Sequence, residues 1–500
     1  MNLVGIILAA GRGTRLQALG LRLPKAMLRI AGRTLVEHQL RAFQRAGIAN
    51  VFVSVGHHGE ILKSHIQGLS LNVNVLFVEN PRFASTNNFE SLRLCLCEIQ
   101  NDVSAIVING DVMVTEEHFL RLVEDDFSEA DGAFLMDTQA WSEDAMKLLL
   151  DRNGSISGVS KTISAKEARG VSTDTYRLNP RGILKLRGSC TSGNKDTENE
   201  WAEAIIDRKV RSGNLVLSTA TSTEYWSEID TPEDLFRASI HFSVAAIRAS
   251  KFANYLFDLD GTLVRKSQPI GQSPRTLQLL ASGGATLAVA SNNTSETSDE
   301  LQKKLHSLDF PDSLKVHTPL NHIRNWLKFR GHRFIYTLLN QSVDDWLADN
   351  GFEISAEKAE IIVVGYSTEF DYAQLARVCE LVNSGIPYVV THSDISYPSK
   401  NGPLPDAGSF SSLIVQVTGI RPLQTFGKPD PQTFSKAISA DPKDALMVGD
   451  RLATDMRLGR ALGVQTALIL PEPPEDVKEW FDIFSLVDFL IPSVDAILDS

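Results

Sequence analysis

The sequence predicts an α/β protein of two bodies, each a doubly wound, mainly parallel sheet with helices on both faces. Short apolar runs alternate with amphipathic stretches from the start, as in "LVGIILAA", "TLVEHQLRAFQRAG", "NVFVSVG" and "VNVLFVE". Strands spaced by helices imply parallel β-α-β units. The alternation restarts at residue 254 with "NYLFDLDGTLV", "ATLAVAS", "RFIYTLL", "AEIIVVG", "PYVVTH", "ALMVGD" and "QTALIL". Length agrees, because 500 residues suffice for roughly two to four domains, each with its own core.

The expected first body is residues 1–240. "TPEDLFRASIHFSVAAIRASKF", residues 231–252, has apolar residues at helical spacing, so residues 241–253 read as a stiff helical linker. "RGSCTSGNKDTENE", residues 187–200, is the most polar stretch and reads as a mobile loop.

Composition narrows the function classes. Lys and Arg number 49 against 61 Asp and Glu, a formal charge of -12, and without a basic cluster this argues against a nucleic-acid groove. Cys95, Cys97, Cys190 and Cys379 lack the spacing of a zinc site. No apolar run approaches the roughly 18 residues of a membrane helix, and the neutral "MN" start lacks the basic head of a signal peptide. The expectation is a soluble cytoplasmic protein with no nucleic-acid or membrane partner; homo-oligomerisation stays open.

The first strand runs into "LAAGRGTRL", residues 8–16. Gly11 and Gly13 let the backbone approach a ligand closely, and successive N–H groups in such a turn can cradle phosphate oxygens. Arg15 and Lys25 of "LPKAM" add positive charge. "AIVINGDVM" ends a strand near Asp111, and "EYWSEIDTPEDL" supplies Asp230 at a second strand end. Carboxylates there sit on the edge where α/β proteins bind ligands, and two facing a phosphate turn can hold Mg²⁺. Asp230 or Thr231 also reads as a helix N-cap. In "STNNFESL", residues 85–92, Asn87 and Glu90 form the pattern of a capping box, with substrate contact an equal reading.

Together "LAAGRGTRL", "LPKAM", "NGD" and "EIDTPEDL" resemble the nucleoside-triphosphate transferases that activate sugar phosphates and phosphoalcohols. "STNNFESL" is similar to the corresponding stretch of the phosphocholine cytidylyltransferases. The resemblance implies a Rossmann-like transferase domain, with CTP and a phosphorylated small molecule as substrates. It also implies nucleotide contacts from Leu8, Ala9, Ala10, Gly11, Gly13, Asn87 and Asn88, catalytic charge from Arg15 and Lys25, and Mg²⁺ on Asp111 and Asp230. UTP or GTP acting with a sugar 1-phosphate is the alternative. Trp141, Trp201, Tyr225 and Trp226, beside the acidic Glu198, Glu200 and Glu203, could face a cationic acceptor by cation–π contact. Ordinary core or interface packing is the favoured reading of the aromatics.

In "YLFDLDGTLV" Asp258 and Asp260 stand two apart at a strand end, a spacing that directs both to one side. One such carboxylate can attack phosphorus while the other protonates the leaving oxygen. "AVASNNT" adds Ser291 and Asn292 as donors, "GKPDP" adds Lys428, and "LMVGDRLATDM" adds Asp450 and Asp455 for Mg²⁺.

All four in this order resemble the haloacid dehalogenase phosphohydrolases. That implies a Rossmannoid core over residues 254–330 and 405–500, Asp258 as nucleophile, Asp260 as acid/base, catalytic roles for Ser291 and Lys428, and Mg²⁺ among Asp258, Asp260, Asp450 and Asp455. The stretch "EIIVVGYSTEFDYAQLARVCELVNSGIPYVVTHSDISYP", with "GPLPDAGSF" after it, resembles the type IIA subgroup. Its mixed α/β cap would occupy residues 331–404 and offer His392, Asp394 and Tyr397 to the leaving group. Where that subgroup has Thr-Asn before the aspartate, this chain has "THSD". The combined expectation is a bifunctional cytidylyltransferase and Mg²⁺-dependent phosphatase. The second domain acting as a phosphotransferase or a silent binding module is the alternative.

Overall fold

The computed structural model describes residues 2–498 except 17, 142, 188–199, 251, 370, 400, 401 and 440. The expected polar loop, Cys190 and Glu198 therefore fall largely outside the described residues. The chain divides into two compact units, Met1–His241 with Pro473–Phe484, and Phe242–Glu472 with Ser485–Ser500. No helix among the described residues is long and apolar enough to cross a membrane.

In the first unit β1 (Leu3–Leu8) is flanked by β2 (Asn50–Val55), which pairs with β3 (Asn74–Glu79), and by β4 (Ser104–Asn109), all parallel. The buried run of β1 serves both faces. Ile6 and Leu8 join the cluster holding Phe89, Leu92 and Leu96, while Ile7 and Ala9 join the one holding Leu40 and Phe43. Helices α1 (Leu35–Arg45) and α2 (Asn88–Glu98) supply those opposite layers, which is why β1 is apolar at every position and not at alternate ones.

Past β4 the sheet becomes mixed, a departure from the parallel β-α-β units that the alternation of strands and helices implied. After a short β5 (Val112–Val114) come β6 (Gly132–Asp137), β7 (Lys147–Leu150), β8 (Ile156–Ser160) and β9 (Gly170–Leu178), and β9 runs antiparallel to β4, β6 and β7. Helix α3 (Ala202–Arg211), β10 (Leu217–Thr221) and β11 (Trp226–Glu228) follow, and β11 pairs antiparallel with β5 as a separate ribbon.

Helix α4 (Pro232–Ser250) is not a bare linker. In its second half Ser243 Oγ accepts from Leu490 N at 2.9 Å, and Arg248 donates to the carbonyls of Ala496 and Leu498. Most of the segment expected to bridge two bodies, from Phe242 on, belongs to the second.

The second unit opens with β12 (Asn254–Phe257), β13 (Thr286–Ala290) and β14 (Lys315–His317). An inserted layer then begins with α5 (Pro319–Arg330) and a second sheet of β15 (Phe334–Leu338), β16 (Glu353–Ile354), β17 (Ile361–Val364), β18 (Tyr388–Val390) and, after α6 (Ala407–Thr418), β19 (Gln424–Thr425). The chain returns through β20 (Ala445–Gly449), β21 (Gln465–Ile469) and β22 (Phe489–Ile491), giving the order β14-β13-β12-β20-β21-β22.

The expected bounds of the insertion, 331–404, are too narrow. Leu320, Ile323 and Leu327 of α5 share a core with Ile335, Ile361 and Phe426, and Ala407 and Ile414 of α6 share the opposite core with Ile362 and Val390. Both helices pack on the second sheet because their apolar stripes have no other face to cover.

Phe43 is fully buried and stacks on Phe119 with ring centroids 4.2 Å apart. Phe43→Ala is expected to destabilise the first unit by about 3–5 kcal/mol, read as an earlier guanidinium transition; an unchanged midpoint would contradict this packing.

Candidate active sites

The turn after β1 holds Gly13 at φ +59°, a left-handed conformation that favours glycine. Gly20 lies against the Gly13 carbonyl so closely that a Cβ would collide with it. The loop is thereby drawn tight, and Lys25 reaches the far side of the cleft. Its Nζ lies 2.7 Å from Asp111 Oδ2 and 2.5 Å from Asp230 Oδ1, and Arg15 lies 2.5 Å from the other Asp230 oxygen.

Asp111 occupies the turn between β4 and β5. Asp230 follows β11, so it stands beyond a two-stranded ribbon and not at the end of a parallel strand, as its sequence context suggested. The ribbon pairing and an Ile229 N–H to Asp111 carbonyl bond of 2.9 Å bring the two together. Thr231 does the capping: its Oγ1 accepts from Asp234 N at 3.2 Å while Asp234 Oδ2 accepts from Thr231 N at 2.9 Å. The Asp230 carboxylate is left for the site.

Glu228 completes the group, with one oxygen each from Asp111, Glu228 and Asp230 lying within 4.8 Å of one another. Sequence reasoning passed over it, although its two-residue spacing from Asp230 was an available signal. Burial foremost, then the neighbouring Asp111 and Asp230, raises its pKa to about 8. Burial opposes ionisation of Asp230 too, yet Lys25 and Arg15 hold its carboxyl below the usual range. Lys25 is drawn down by burial but raised overall by the same two aspartates.

Leu8, Ala10, Gly11, Gly13, Arg15 and Lys25 line one cleft with Asn80, Asn87, Asn88, Asp111, Glu228 and Asp230. Ala9 does not line it, because its N–H is taken by the Ser54 carbonyl and hydroxyl at 3.2 and 3.1 Å. Asn88 reaches the cleft, but its Oδ1 accepts from Ala202 N at 2.8 Å and so caps α3, whose own N-cap Trp201 supplies no side-chain bond. The Asn87 side chain accepts from Asn88 N at 2.8 Å. The expected capping box does not form, since Glu90 is ion-paired with Arg82 and Arg93.

The aromatics form no cage. Trp201 lines the cleft, whereas Trp141 lies under Lys147, Tyr225 stacks on His241, and Trp226 Nε1 donates to Asp137 at 2.9 Å. Glu200 is paired with Arg208, and Glu203 is buried against Asn88.

In the second unit Lys428 Nζ is paired with Asp258 and lies 2.8 Å from Asp455 Oδ1, all three side chains being buried. Oxygens of Asp258, Asp450 and Asp455 lie within 4.8 Å of one another. Gly261, at φ +97°, admits the Asp450 carboxylate where a Cβ would collide with it. Burial first, then Asp455 and Asp450, raises the pKa of Asp258 against the opposing Lys428.

Asp260 is not part of that carboxylate group, so its side chain does not meet the expectation of a metal ligand. Strand β12 ends at Phe257, and Asp260 lines a recess with Ser267, Asn293 and Lys304. Burial raises its pKa. Ser291 Oγ accepts from Asn293 N at 3.0 Å. Asn292 Oδ1 accepts from Lys428 N at 2.7 Å, and its Nδ2 donates to Asp394 at 3.0 Å.

Asp394 thus meets the aspartate site through Asn292. His392 does not: it is buried, with one ring nitrogen 2.9 Å from Thr391 Oγ1 and the other 2.9 Å from Asp406. Both nitrogens are committed to holding the loop, so none faces a substrate. The Tyr397 hydroxyl pairs with that of Tyr366 at 3.2 Å.

Both acidic groups suit a hard cation. Asp111 Oδ1 and Asp450 Oδ1 are buried without a hydrogen-bond partner, and clustered carboxylate oxygens are what Mg²⁺ prefers.

Comparison with known proteins separates the units in the same way. The MobA-like NTP transferase domain family matches residues 5–166, and two haloacid dehalogenase-like hydrolase families match residues 255–353 and 425–473. A 5'-nucleotidase, YutF, of Bacillus subtilis is 28% identical over 223 residues, covering 44% of this chain and 87% of the relative. A dihydroxyacetone phosphatase of Corynebacterium glutamicum is 28% identical over 231 residues, covering 45% and 83%. Among solved structures, a 4-nitrophenylphosphatase of Thermotoga maritima is 27% identical with a TM-score of 0.45, covering 50% of this chain and 97% of that one.

Gly261→Ala is expected to weaken magnesium binding at the second site roughly 10–100-fold with unchanged far-UV circular dichroism. Titration calorimetry checks it, and full-affinity binding would contradict the close approach of Asp450.

Proposed function

We propose that this chain, an NTP transferase domain of the MobA-like family joined to a haloacid dehalogenase-like hydrolase, is a bifunctional cytoplasmic enzyme. Its first domain transfers a cytidylyl group from CTP to a phosphorylated small molecule, and its second hydrolyses a phosphomonoester. The observation that carries this reading is that each unit gathers three carboxylates, two of them in contact with one lysine.

In the transferase, an acceptor phosphate oxygen attacks the α-phosphorus of CTP, the bond to the β-phosphate breaks, and pyrophosphate leaves. No side-chain nucleophile is needed. Lys25 and Arg15 offset the repulsion between the anions, and the Gly11–Gly13 turn offers N–H groups to the phosphates. Binding both reactants in one cleft turns a bimolecular step into a held geometry.

In the hydrolase, an Asp258 oxygen attacks phosphorus, the ester P–O bond breaks, and the leaving oxygen takes the proton of Asp260. Asp260 then accepts a proton from water as its oxygen displaces Asp258, releasing phosphate. The raised pKa of Asp260 suits the acid step. Lys428 holds Asp258 in place and adds positive charge beside the transferring group. Asp111, Glu228 and Asp230 in one unit, and Asp258, Asp450 and Asp455 in the other, would hold a magnesium ion, which would supply positive charge against phosphate oxygens when bound. The names of the relatives, a 5'-nucleotidase and a dihydroxyacetone phosphatase, support a small phosphorylated substrate.

The test is a panel of nucleoside triphosphates with phosphorylated alcohols and sugars, following pyrophosphate and phosphate release. CTP is expected to be the preferred donor. Asp258→Asn should lower phosphate release by at least about a thousandfold while sparing pyrophosphate release, and Lys25→Ala should do the reverse. Pyrophosphate release with UTP or GTP but not CTP would replace the cytidylyl reading. Chelation should silence both activities and added Mg²⁺ restore them.

A further inference from the structure

We infer that Glu90 is a positioning residue that sets donor-nucleobase selectivity by clamping the loop of residues 80–88 between Arg82 and Arg93. The inference rests on the proposed transferase reading.

The lining of the first unit's cleft is of two kinds. Arg12, Arg15 and Lys25 bring positive charge, whereas Asn80, Thr86, Asn87 and Ser91 carry only amides and hydroxyls. Phosphates belong with the cations. A base is neutral and is read by hydrogen bonds, so it belongs with the amides and hydroxyls. Selectivity then depends on how firmly the loop that carries them is held, because a displacement near 1 Å loses a directional hydrogen bond.

Glu90 is not among the residues lining the cleft, yet it fixes that loop. It is 3% exposed. Arg82 donates to Oε1 at 2.7 Å, and Arg93 grips both oxygens, at 2.6 and 2.9 Å. Arg93 is one turn along α2, whereas Arg82 belongs to the loop, so the carboxylate ties loop to helix. Asn80, 2% exposed, completes the tie. Its Nδ2 donates to Ser91 at 3.1 Å and Thr86 at 3.3 Å, and its Oδ1 accepts from Arg82 N at 3.0 Å. The loop's own turn is closed by Thr86 Oγ1 donating to the Arg82 carbonyl at 2.9 Å. Without Glu90 the carboxylate that joins Arg82 of the loop to Arg93 of the helix would be gone.

The experiment compares wild type with Glu90→Gln and Glu90→Asp, measuring kcat and KM separately for CTP, UTP and the acceptor by pyrophosphate release. For Glu90→Gln we expect KM for CTP to rise about tenfold, kcat to change less than about threefold, and the CTP-to-UTP ratio of kcat/KM to fall about tenfold. Glu90→Asp should recover part of that ratio. An unchanged ratio, with only a lower melting temperature, would overturn the inference and leave Glu90 a structural ion pair. A change confined to the acceptor KM would overturn it as well. If wild type releases no pyrophosphate from any nucleotide, the transferase reading itself fails, an outcome distinct from intact turnover with unaltered selectivity.

Discussion

A lysine held between two carboxylates is the interaction on which each unit's site depends. Lys25 lies between Asp111 and Asp230, and Lys428 between Asp258 and Asp455. In the second unit the cost of isolating charge is greatest, since Lys428 and its partners are all buried. Removing one member of such a group leaves an unmatched charge in a poorly polarisable interior, which is far more destabilising than the intact pair is stabilising. The lysines therefore permit the carboxylates to be gathered at all. The geometry that gathers them differs between the units: in the second, β12 and β20 are parallel neighbours that end together beside Asp258 and Asp450, whereas in the first the antiparallel β5–β11 ribbon carries Asp230 to Asp111.

The glycines follow from the same crowding. Gly261 admits the Asp450 carboxylate, and Gly449 the Asp455 carboxylate, in spaces where any Cβ would collide. Gly13 and Gly20 let the loop after β1 fold on itself beside Lys25. These positions are where backbone and charged groups approach closest, and the remaining scaffold, apolar on both sheet faces, holds that approach rigid.

Much of this was legible in the sequence, because apolar strands ending in charged residues survive as local patterns. The strand positions, the two glycine turns, and the association of Asp111 with Asp230 and of Asp258 with Asp450 were all readable that way. What was missed depended on partners distant in the chain. Glu228 gains its place from the pairing of β11 with β5. Glu90 matches a capping box locally, but two arginines outcompete the N-cap backbone for its carboxylate. His392 looks available until Asp406, fourteen residues on, takes its second nitrogen. The insertion runs wider than 331–404 because the apolar surface of the second sheet decides where α5 and α6 pack.

Two phosphate-handling sites in one chain impose a chemical constraint under the proposed reading. A hydrolase that removed the phosphate of the transferase's own acceptor would undo the step before it happened. The sites must therefore differ in what they admit beyond the phosphate itself. Their surroundings differ in kind: the transferase cleft is edged by asparagines and hydroxyls with a tryptophan at its rim, whereas the aspartate site meets an inserted layer through Asp394 and Asn292. A phosphate is recognised similarly in both, by cations and backbone donors, so discrimination falls to those edges. The hydrolase then belongs on a different molecule or a different phosphate, such as a bisphosphate or an upstream monoester. Its specificity should reside in the inserted layer and not in the aspartates, which any phosphomonoester would satisfy equally.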